Sequence, residues 1–137
     1  MALSSTLRVA FVGAGYMASE HLRAFAACTN VQLVGIYSRS IDRAEGLARI
    51  YPDLTIFTSI EDLYTHTSAD LVVIAVSELA CKTVCEQAFN YPWTLLIEKP
   101  VGYNFSEARK IEIQSVERGA RAYVALNRRF YSSTLQL

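Results

Sequence analysis

Six short apolar runs alternate along the chain with segments in which apolar residues recur at every third or fourth position. The short runs are typical of strands buried on both faces of a sheet, and the helical spacing is typical of helices that pack one side against that sheet. The predicted strands are 7–12, 31–37, 55–57, 71–76, 94–97 and 122–126. The predicted helices follow the first glycine turn and then occupy 41–51, 59–64, 78–89 and 106–118.

Strict alternation of strand and helix indicates a parallel α/β sheet whose strands are joined by crossover helices. Six such strands fit a doubly wound Rossmann sheet of order 3-2-1-4-5-6, with helices on both faces in a three-layer α/β/α arrangement. The run 71–76 is the most continuously apolar, and we expect it to lie near the centre of the sheet.

A glycine turn follows the first strand directly. Gly13, Gly15 and Ala18 have the spacing G-x-G-x-x-A of a dinucleotide site. Gly13 suits the tight turn, Gly15 lets the backbone approach a pyrophosphate, and Ala18 allows helix and strand to pack closely. We therefore expect residues 13–17, including Tyr16 and Met17, to wrap the pyrophosphate at a helix N-terminus.

The end of the second strand predicts the choice of cofactor. About 20 residues beyond the turn, an NAD-selective site carries an acid for the ribose hydroxyls. This chain has Ser38, Arg39 and Ser40 there, with Arg43 one helical turn further on. Hydroxyl and guanidinium groups suit a 2′-phosphate, so NADP is favoured over NAD. In the alternative interpretation, both serines cap the next helix and either cofactor binds.

The end of the fourth strand lies where the strand order reverses, and ligands bind doubly wound sheets at that point. Val76, Ser77 and Glu78 are therefore predicted to border the cofactor. Ser77 also has the residue type and position of an N-cap for the following helix, and both roles are compatible.

The triplet Glu98-Lys99-Pro100 follows the fifth strand, and the run Asn-Arg-Arg-Phe that begins at Asn127 follows the sixth. Together with the glycine turn and the helix that contains residues 20–24, these motifs resemble the nucleotide-binding half of the glucose-fructose oxidoreductase and inositol dehydrogenase family. The resemblance covers nearly all of the chain. It implies that Lys99 is catalytic, beside the nicotinamide and hydrogen-bonded to the hydroxyl being oxidised. Glu98 would contact the nicotinamide ribose or fix Lys99, and Asn127 would belong to the cofactor site.

The chain departs from the family pattern at three positions. Ser38 replaces an acid, Ser77 with Glu78 stands where Pro-Asn is common, and Cys81 stands where a histidine often follows. Family members continue into an α/β domain that covers the nicotinamide, supplies a second acid/base group and often forms the oligomer. We therefore expect residues 1–126 to be the cofactor domain and 127–137 to begin the connection, so that the chain alone is inactive.

The composition of the chain excludes some classes of binding partner. Thirteen basic and thirteen acidic residues give a formal charge of zero, so we expect neither nucleic acid nor a membrane surface as a partner. No apolar run reaches the roughly 18 residues of a membrane span, and no signal-peptide pattern opens the chain, so a cytoplasmic protein is predicted. Cys28, Cys81 and Cys85 lack metal or disulfide spacing; the last two are predicted to be buried thiols. No metal site is predicted.

The two histidines have no partner at the spacing of a metal site or catalytic triad. His21 is predicted to pack near the buried face of the first helix, and His66 to lie in a polar loop. Two functions therefore remain. One is the cofactor half of an NAD(P)-dependent oxidoreductase acting on a secondary alcohol of a sugar, cyclitol or sugar nucleotide. The other is a nucleotide-binding module that senses without turnover, which would not need Lys99.

Overall fold

Six parallel strands form one sheet in the computed structural model, which describes residues 5–135. The strands are β1 Leu7–Val12, β2 Val31–Tyr37, β3 Thr55–Phe57, β4 Leu71–Ile74, β5 Thr94–Ile97 and β6 Arg121–Val124. Their order across the sheet is β3-β2-β1-β4-β5-β6, and every neighbouring pair is parallel. The predicted doubly wound Rossmann topology is confirmed.

Helices cover both faces of the sheet. They are α1 Tyr16–Ala26, α2 Ile41–Ile50, α3 Ile60–Thr67, α4 Glu78–Ala88 and α5 Phe105–Glu117, followed by a 3-10 helix Asn127–Phe130 and α6 Ser132–Leu135. One core cluster joins Val9 and Phe11 to α1 and α2, and the other joins Ala10 and Val12 to α3, α4 and α5. Because alternate strand residues face opposite sides, the two clusters lie on the two faces and the three layers are confirmed.

Strands β1 and β4 lie side by side at the centre, with Val9 opposite Leu71 and Val12 opposite Ile74. Their central side chains are almost fully inaccessible to water, as the uninterrupted apolar sequence predicts for strands covered on both faces. This position brings the carboxyl end of β1, which leads into the glycine turn, next to the carboxyl end of β4.

Some predicted boundaries are wrong. Strand β4 ends at Ile74 rather than at 76, and β6 spans Arg121–Val124 rather than 122–126. Helix α3 continues past 64 to Thr67, so His66 lies on a helix rather than in a loop. The helix stops where Ser68 adopts a left-handed conformation, with φ 46°.

Candidate active site

The residues predicted for the site gather at one edge of the sheet. Gly13 follows β1, Ser38 and Arg39 follow β2, Val76 and Ser77 follow β4, Glu98 and Lys99 follow β5, and Asn127 lies just beyond β6. All six strands are parallel, so their carboxyl ends share this edge, where ligands bind open α/β sheets. Arg43 lies a short way into α2 from the same edge.

Gly13 forms a turn that no other residue fits. Its φ is +106°, and a Cβ there would come within 2.1 Å of the Ala75 carbonyl oxygen. Its N–H donates to the Tyr37 carbonyl oxygen at 2.8 Å. The turn is therefore held between the ends of β2 and β4, and it directs the chain into α1.

Gly15 faces open space at the start of α1. Its φ of −85° is accessible to any residue, and a Cβ there would meet no atom of the protein within 4 Å. No side chain caps the first turn of α1, and no acidic residue stands there. The free N–H groups and the positive end of the helix dipole thus meet an unobstructed space, which fits a diphosphate.

The first two residues of α1 contribute different surfaces to this space. The Tyr16 side chain is 75% exposed, so its ring is free to line the turn. Met17 is half-buried and packs against the core cluster beneath α1 and α2, which leaves its backbone as the group that faces the open space. Ala18 is fully buried, as the close packing of helix and strand requires.

The end of β2 presents hydroxyl and guanidinium groups. Ser38 Oγ accepts the Ser40 N–H at 3.1 Å, whereas the Ser40 side chain makes no capping hydrogen bond although Ser40 occupies the N-cap of α2. Arg39 and Arg43 are exposed, and neither forms an ion pair with another residue between 5 and 135. Ser40 therefore occupies the N-cap position that the capping interpretation predicted, but its side chain does not form the capping hydrogen bond.

The end of β4 packs against the glycine turn. Ala75 continues the ladder by donating its N–H to the Val12 carbonyl oxygen at 2.9 Å. The Val76 side chain would lie 3.2 Å from a Cβ on Gly13, so Val76 borders the turn directly. Ser77 is the N-cap residue of α4, but its side chain makes no capping bond and is exposed. That hydroxyl remains free for a ligand.

Glu98 is anchored beneath the exposed Lys99. Only 7% of Glu98 is exposed, and its N–H donates to the Ile74 carbonyl oxygen at 2.8 Å. Its Oε2 accepts the Lys99 N–H at 3.0 Å, and its Oε1 lies 3.0 Å from His21 Nε2. A buried carboxylate needs such partners, because an unpaired one is costly to desolvate. Lys99 and Asn127 are exposed at the rim.

The contact of His21 with Glu98 is a feature that the sequence reasoning missed. His21 lies on α1 with 17% of its side chain exposed, so it is placed near the buried face as predicted, but it is not simply a packing residue. A half-buried imidazole requires a polar partner. His21 has no such partner on α1. The sequence therefore offered one signal, a histidine near the buried face of a helix, that a polar group from the end of a strand would contact it.

Cys81 and Cys85 are buried on α4, as predicted, with their sulfur atoms 3.9 Å apart. The Cys85 thiol hydrogen-bonds Cys81 and lowers the pKa of Cys81 to about 7, against the effect of burial; the same contact, with burial, raises the pKa of Cys85. Between residues 5 and 135, no three His, Cys, Asp or Glu side chains are placed to hold a metal ion. No helix in that range is long and apolar enough to cross a membrane.

Comparison with known proteins identifies the family. The sequence profile of the Gfo/Idh/MocA oxidoreductase family, NAD-binding Rossmann fold, matches residues 7–126. The chain belongs to this family. The glucose-fructose oxidoreductase and inositol dehydrogenase resemblance is thereby confirmed, and the chain carries the NAD-binding Rossmann domain of a Gfo/Idh/MocA protein.

Individual Gfo/Idh/MocA relatives are distant and much longer. Inositol 2-dehydrogenase of Corynebacterium glutamicum is 30% identical over 130 residues, which cover 93% of this chain and 39% of the relative. Glucose-6-phosphate 3-dehydrogenase of Bacillus subtilis is 24% identical over 125 residues, covering 91% of this chain and 35% of the relative. The chain thus spans well under half the length of these relatives.

A solved structure shares the fold. The WlbA dehydrogenase from Bordetella pertussis, in complex with NADH and UDP-GlcNAcA, superposes with a TM-score of 0.87 at 19% identity. The match covers 96% of this chain and 40% of that one. At this identity the likeness supports the Rossmann architecture and no further property.

Proposed function

We propose that this chain is the cofactor half of an NAD(P)-dependent oxidoreductase that transfers hydride to or from a secondary alcohol. Residues 1–126 form the cofactor domain, and residues 127–137 begin the connection to a substrate domain. The observation that carries the proposal is Lys99, whose backbone N–H is bonded to Glu98 and whose exposed side chain stands at the same edge of the sheet as the glycine turn.

The chemistry of Lys99 fits alcohol oxidation. The nicotinamide, when bound, takes up or supplies the hydride. The residues of this chain then act on the hydroxyl: the Lys99 ammonium, hydrogen-bonded to the alcohol oxygen, stabilises the negative charge that forms there as the O–H proton passes to a base of the substrate domain. A module that only senses the cofactor has no use for a cation at that place.

The relatives support a proposal for the substrate class. One relative is named for inositol, another for glucose 6-phosphate, and the structural neighbour holds a sugar nucleotide. A polyhydroxy compound is the chemistry that these share, so we propose a sugar, cyclitol or sugar nucleotide as the substrate. We also propose that the complete protein is a homo-oligomer formed through the substrate domain and works in the cytoplasm, where free thiols such as Cys28 remain reduced.

We propose NADP as the preferred cofactor, with NAD as the alternative. Ser38, Arg39 and Arg43 support this choice because hydroxyl and guanidinium groups suit a 2′-phosphate, and residues 38–40, which directly follow β2, include no acid. A carboxylate at that point would favour the two ribose hydroxyls of NAD instead.

Replacement of Lys99 tests the central proposal. In a protein that carries this chain together with its substrate domain, Lys99→Ala is expected to lower kcat roughly 10²–10⁴-fold while cofactor affinity stays nearly unchanged. Stopped-flow measurement of hydride transfer and calorimetric titration of the cofactor give the two quantities. Lys110→Ala, which removes an exposed lysine from α5, is the matched control. Wild-type rates in Lys99→Ala would remove Lys99 from the mechanism, whereas cofactor binding without hydride transfer in the unaltered full-length protein would favour the sensing module.

A further inference from the structure

A buried chain of hydrogen bonds runs from α1 to the backbone of Lys99. His21 Nε2 lies 3.0 Å from Glu98 Oε1, and Glu98 Oε2 accepts the Lys99 N–H at 3.0 Å. Glu98 is the one charged residue that is buried between residues 5 and 135. Each oxygen of its carboxylate therefore has a defined partner, and the side chain is held in one orientation.

We propose that His21 is a positioning residue that fixes Glu98, and through Glu98 the peptide of Lys99, for the nicotinamide half of the cofactor. The inference rests on the proposed function. His21 does not itself touch the reacting atoms in this arrangement. It acts by donating Nε2–H to a carboxylate that would otherwise be free to rotate away from the Lys99 N–H.

The sheet order places the hydrogen bonds of His21, Glu98 and Lys99 at the nicotinamide end of the site. A doubly wound sheet binds a dinucleotide across the point where the strand order reverses, and the adenosine ribose meets the end of the second strand. Here β2 lies on one side of β1, whereas β4 and β5 lie on the other. Glu98 and Lys99 follow β5, so His21 acts on the half of the site opposite to Ser38 and Arg39.

The energetic reason for His21 is the burial of Glu98. A buried carboxylate that loses a hydrogen-bond donor keeps its desolvation cost and loses its compensation. It then turns toward water, and its bond to the Lys99 N–H weakens. Because His21 belongs to the same helix whose N-terminus faces the diphosphate space, α1 serves both ends of the site.

The test compares two ligands that differ at the nicotinamide end. Calorimetry measures the affinity of the chain for NADPH and for 2′,5′-ADP, which lacks the nicotinamide ribose; NADH and ADP replace them if the parent binds NADH more tightly. His21→Leu is expected to weaken dinucleotide binding about tenfold and leave the adenosine fragment unchanged, because one hydrogen bond to a charged group is lost. His21→Gln, which keeps a donor at similar reach, should restore affinity to within about threefold.

Controls separate positioning from a loss of folding. His66→Leu replaces the other histidine, on α3, and should change neither affinity. His21→Asn, whose amide is too short to reach Glu98, should also weaken dinucleotide binding about tenfold and leave the adenosine fragment unchanged, so it replaces His21→Leu if the leucine variant is poorly folded. Thermal unfolding monitors each protein. Equal weakening of both ligands, or unchanged dinucleotide affinity in folded His21→Leu and His21→Asn, would overturn the inference. A parent chain that binds neither dinucleotide would instead overturn the proposed function.

Discussion

Gly13 and Gly15 are two residues apart, and each is a glycine for a different physical reason. Gly13 has a positive φ, and a Cβ on it would overlap the Ala75 carbonyl. Gly15 has an ordinary backbone conformation, and its missing side chain leaves open space before α1. Gly13 is therefore required by the fold, whereas we propose that Gly15 is required by the ligand.

Paired substitutions distinguish these two roles. Gly13→Ala is expected to cost roughly 3 kcal/mol or more of unfolding free energy, because strain and a backbone clash add together. Gly15→Val should leave the unfolding free energy within about 1 kcal/mol and abolish dinucleotide binding by filling the diphosphate space. Urea unfolding and calorimetric titration measure the two effects. Undiminished NAD(P)H binding by Gly15→Val would place the cofactor elsewhere.

Arg39 is expected to set the preference for the 2′-phosphate. One charge-assisted hydrogen bond is worth about 1.5–3 kcal/mol, which corresponds to a roughly ten- to hundredfold preference for NADPH over NADH. Arg39→Ala should remove most of that preference and leave NADH affinity unchanged. Arg49→Ala, at the far end of α2, is the control. Equal affinities of the unaltered chain for the two cofactors would contradict the proposed selectivity.

Among the helices, α3 and α4 both begin after a serine, but only one of these serines caps its helix. Ser59 Oγ accepts the Asp62 N–H at 2.9 Å, whereas the Ser77 side chain makes no such bond. Both helices begin at the carboxyl edge of the sheet, but α3 follows the outermost strand β3, whereas α4 follows the central strand β4 beside the glycine turn. A serine that does not cap keeps its hydroxyl for a ligand.

The two serines form a matched pair for a stability measurement without cofactor. Ser59→Ala is expected to lower the unfolding free energy by about 1 kcal/mol, because a first-turn N–H of α3 loses its acceptor. Ser77→Ala should change it by less than about 0.5 kcal/mol. The urea midpoints, at unchanged slope, report both values. A larger loss from Ser77→Ala than from Ser59→Ala would contradict the assigned contacts.

Elements whose ends coincide with a change in polarity were predictable from the sequence. Strands β1, β2, β3 and β5 have the predicted bounds because each apolar run stops at a glycine or a polar residue. The end of α3 was not predictable in this way. Thr67 remains helical with its hydroxyl bonded to the Leu63 carbonyl oxygen, and the stop is a left-handed Ser68, neither of which leaves a mark in the apolar pattern.

The candidate site also has one part that the sequence predicts and one part that it does not. Strand order alone predicts that Gly13, Ser77 and Lys99 share an edge, because parallel strands end together. The bond between His21 and Glu98 joins residues 77 positions apart and depends on how α1 lies over the sheet. Such a contact belongs to tertiary packing, and no local spacing encodes it.

For the molecule as a whole, the proposed function makes this sheet one wall of a reaction pocket. Lys99 and Asn127 are exposed at the rim, and the chain spans 39% of its inositol 2-dehydrogenase relative. Hydride transfer requires the alcohol carbon to be held at close range over the nicotinamide, and such positioning supplies up to roughly 7–11 kcal/mol of the barrier. A single wall does not supply it.

The 137-residue chain is therefore expected to bind NAD(P)H without measurable oxidation of sugars or cyclitols. Calorimetry checks the binding, and absorbance of the reduced cofactor at high enzyme concentration checks turnover. The Gly15→Val variant is the control for adventitious reduction of the cofactor, because it should show neither cofactor binding nor turnover. Robust alcohol oxidation by the chain alone would show that one wall suffices.

The central position of β1 has a consequence for synthesis of the protein. Arg8, on β1, and Asp70, just before β4, are hydrogen-bonded but lie 62 residues apart, so the first strand lacks one of its two neighbours until the ribosome has made the fourth. At about 5–20 residues per second, that wait is about 3–12 s. During this interval Phe11 has no complete core to enter, and the loop against which Gly13 packs does not yet exist. The cofactor turn is thus encoded near the beginning of the chain but assembled late, and nascent chains have a period in which chaperones have access to it.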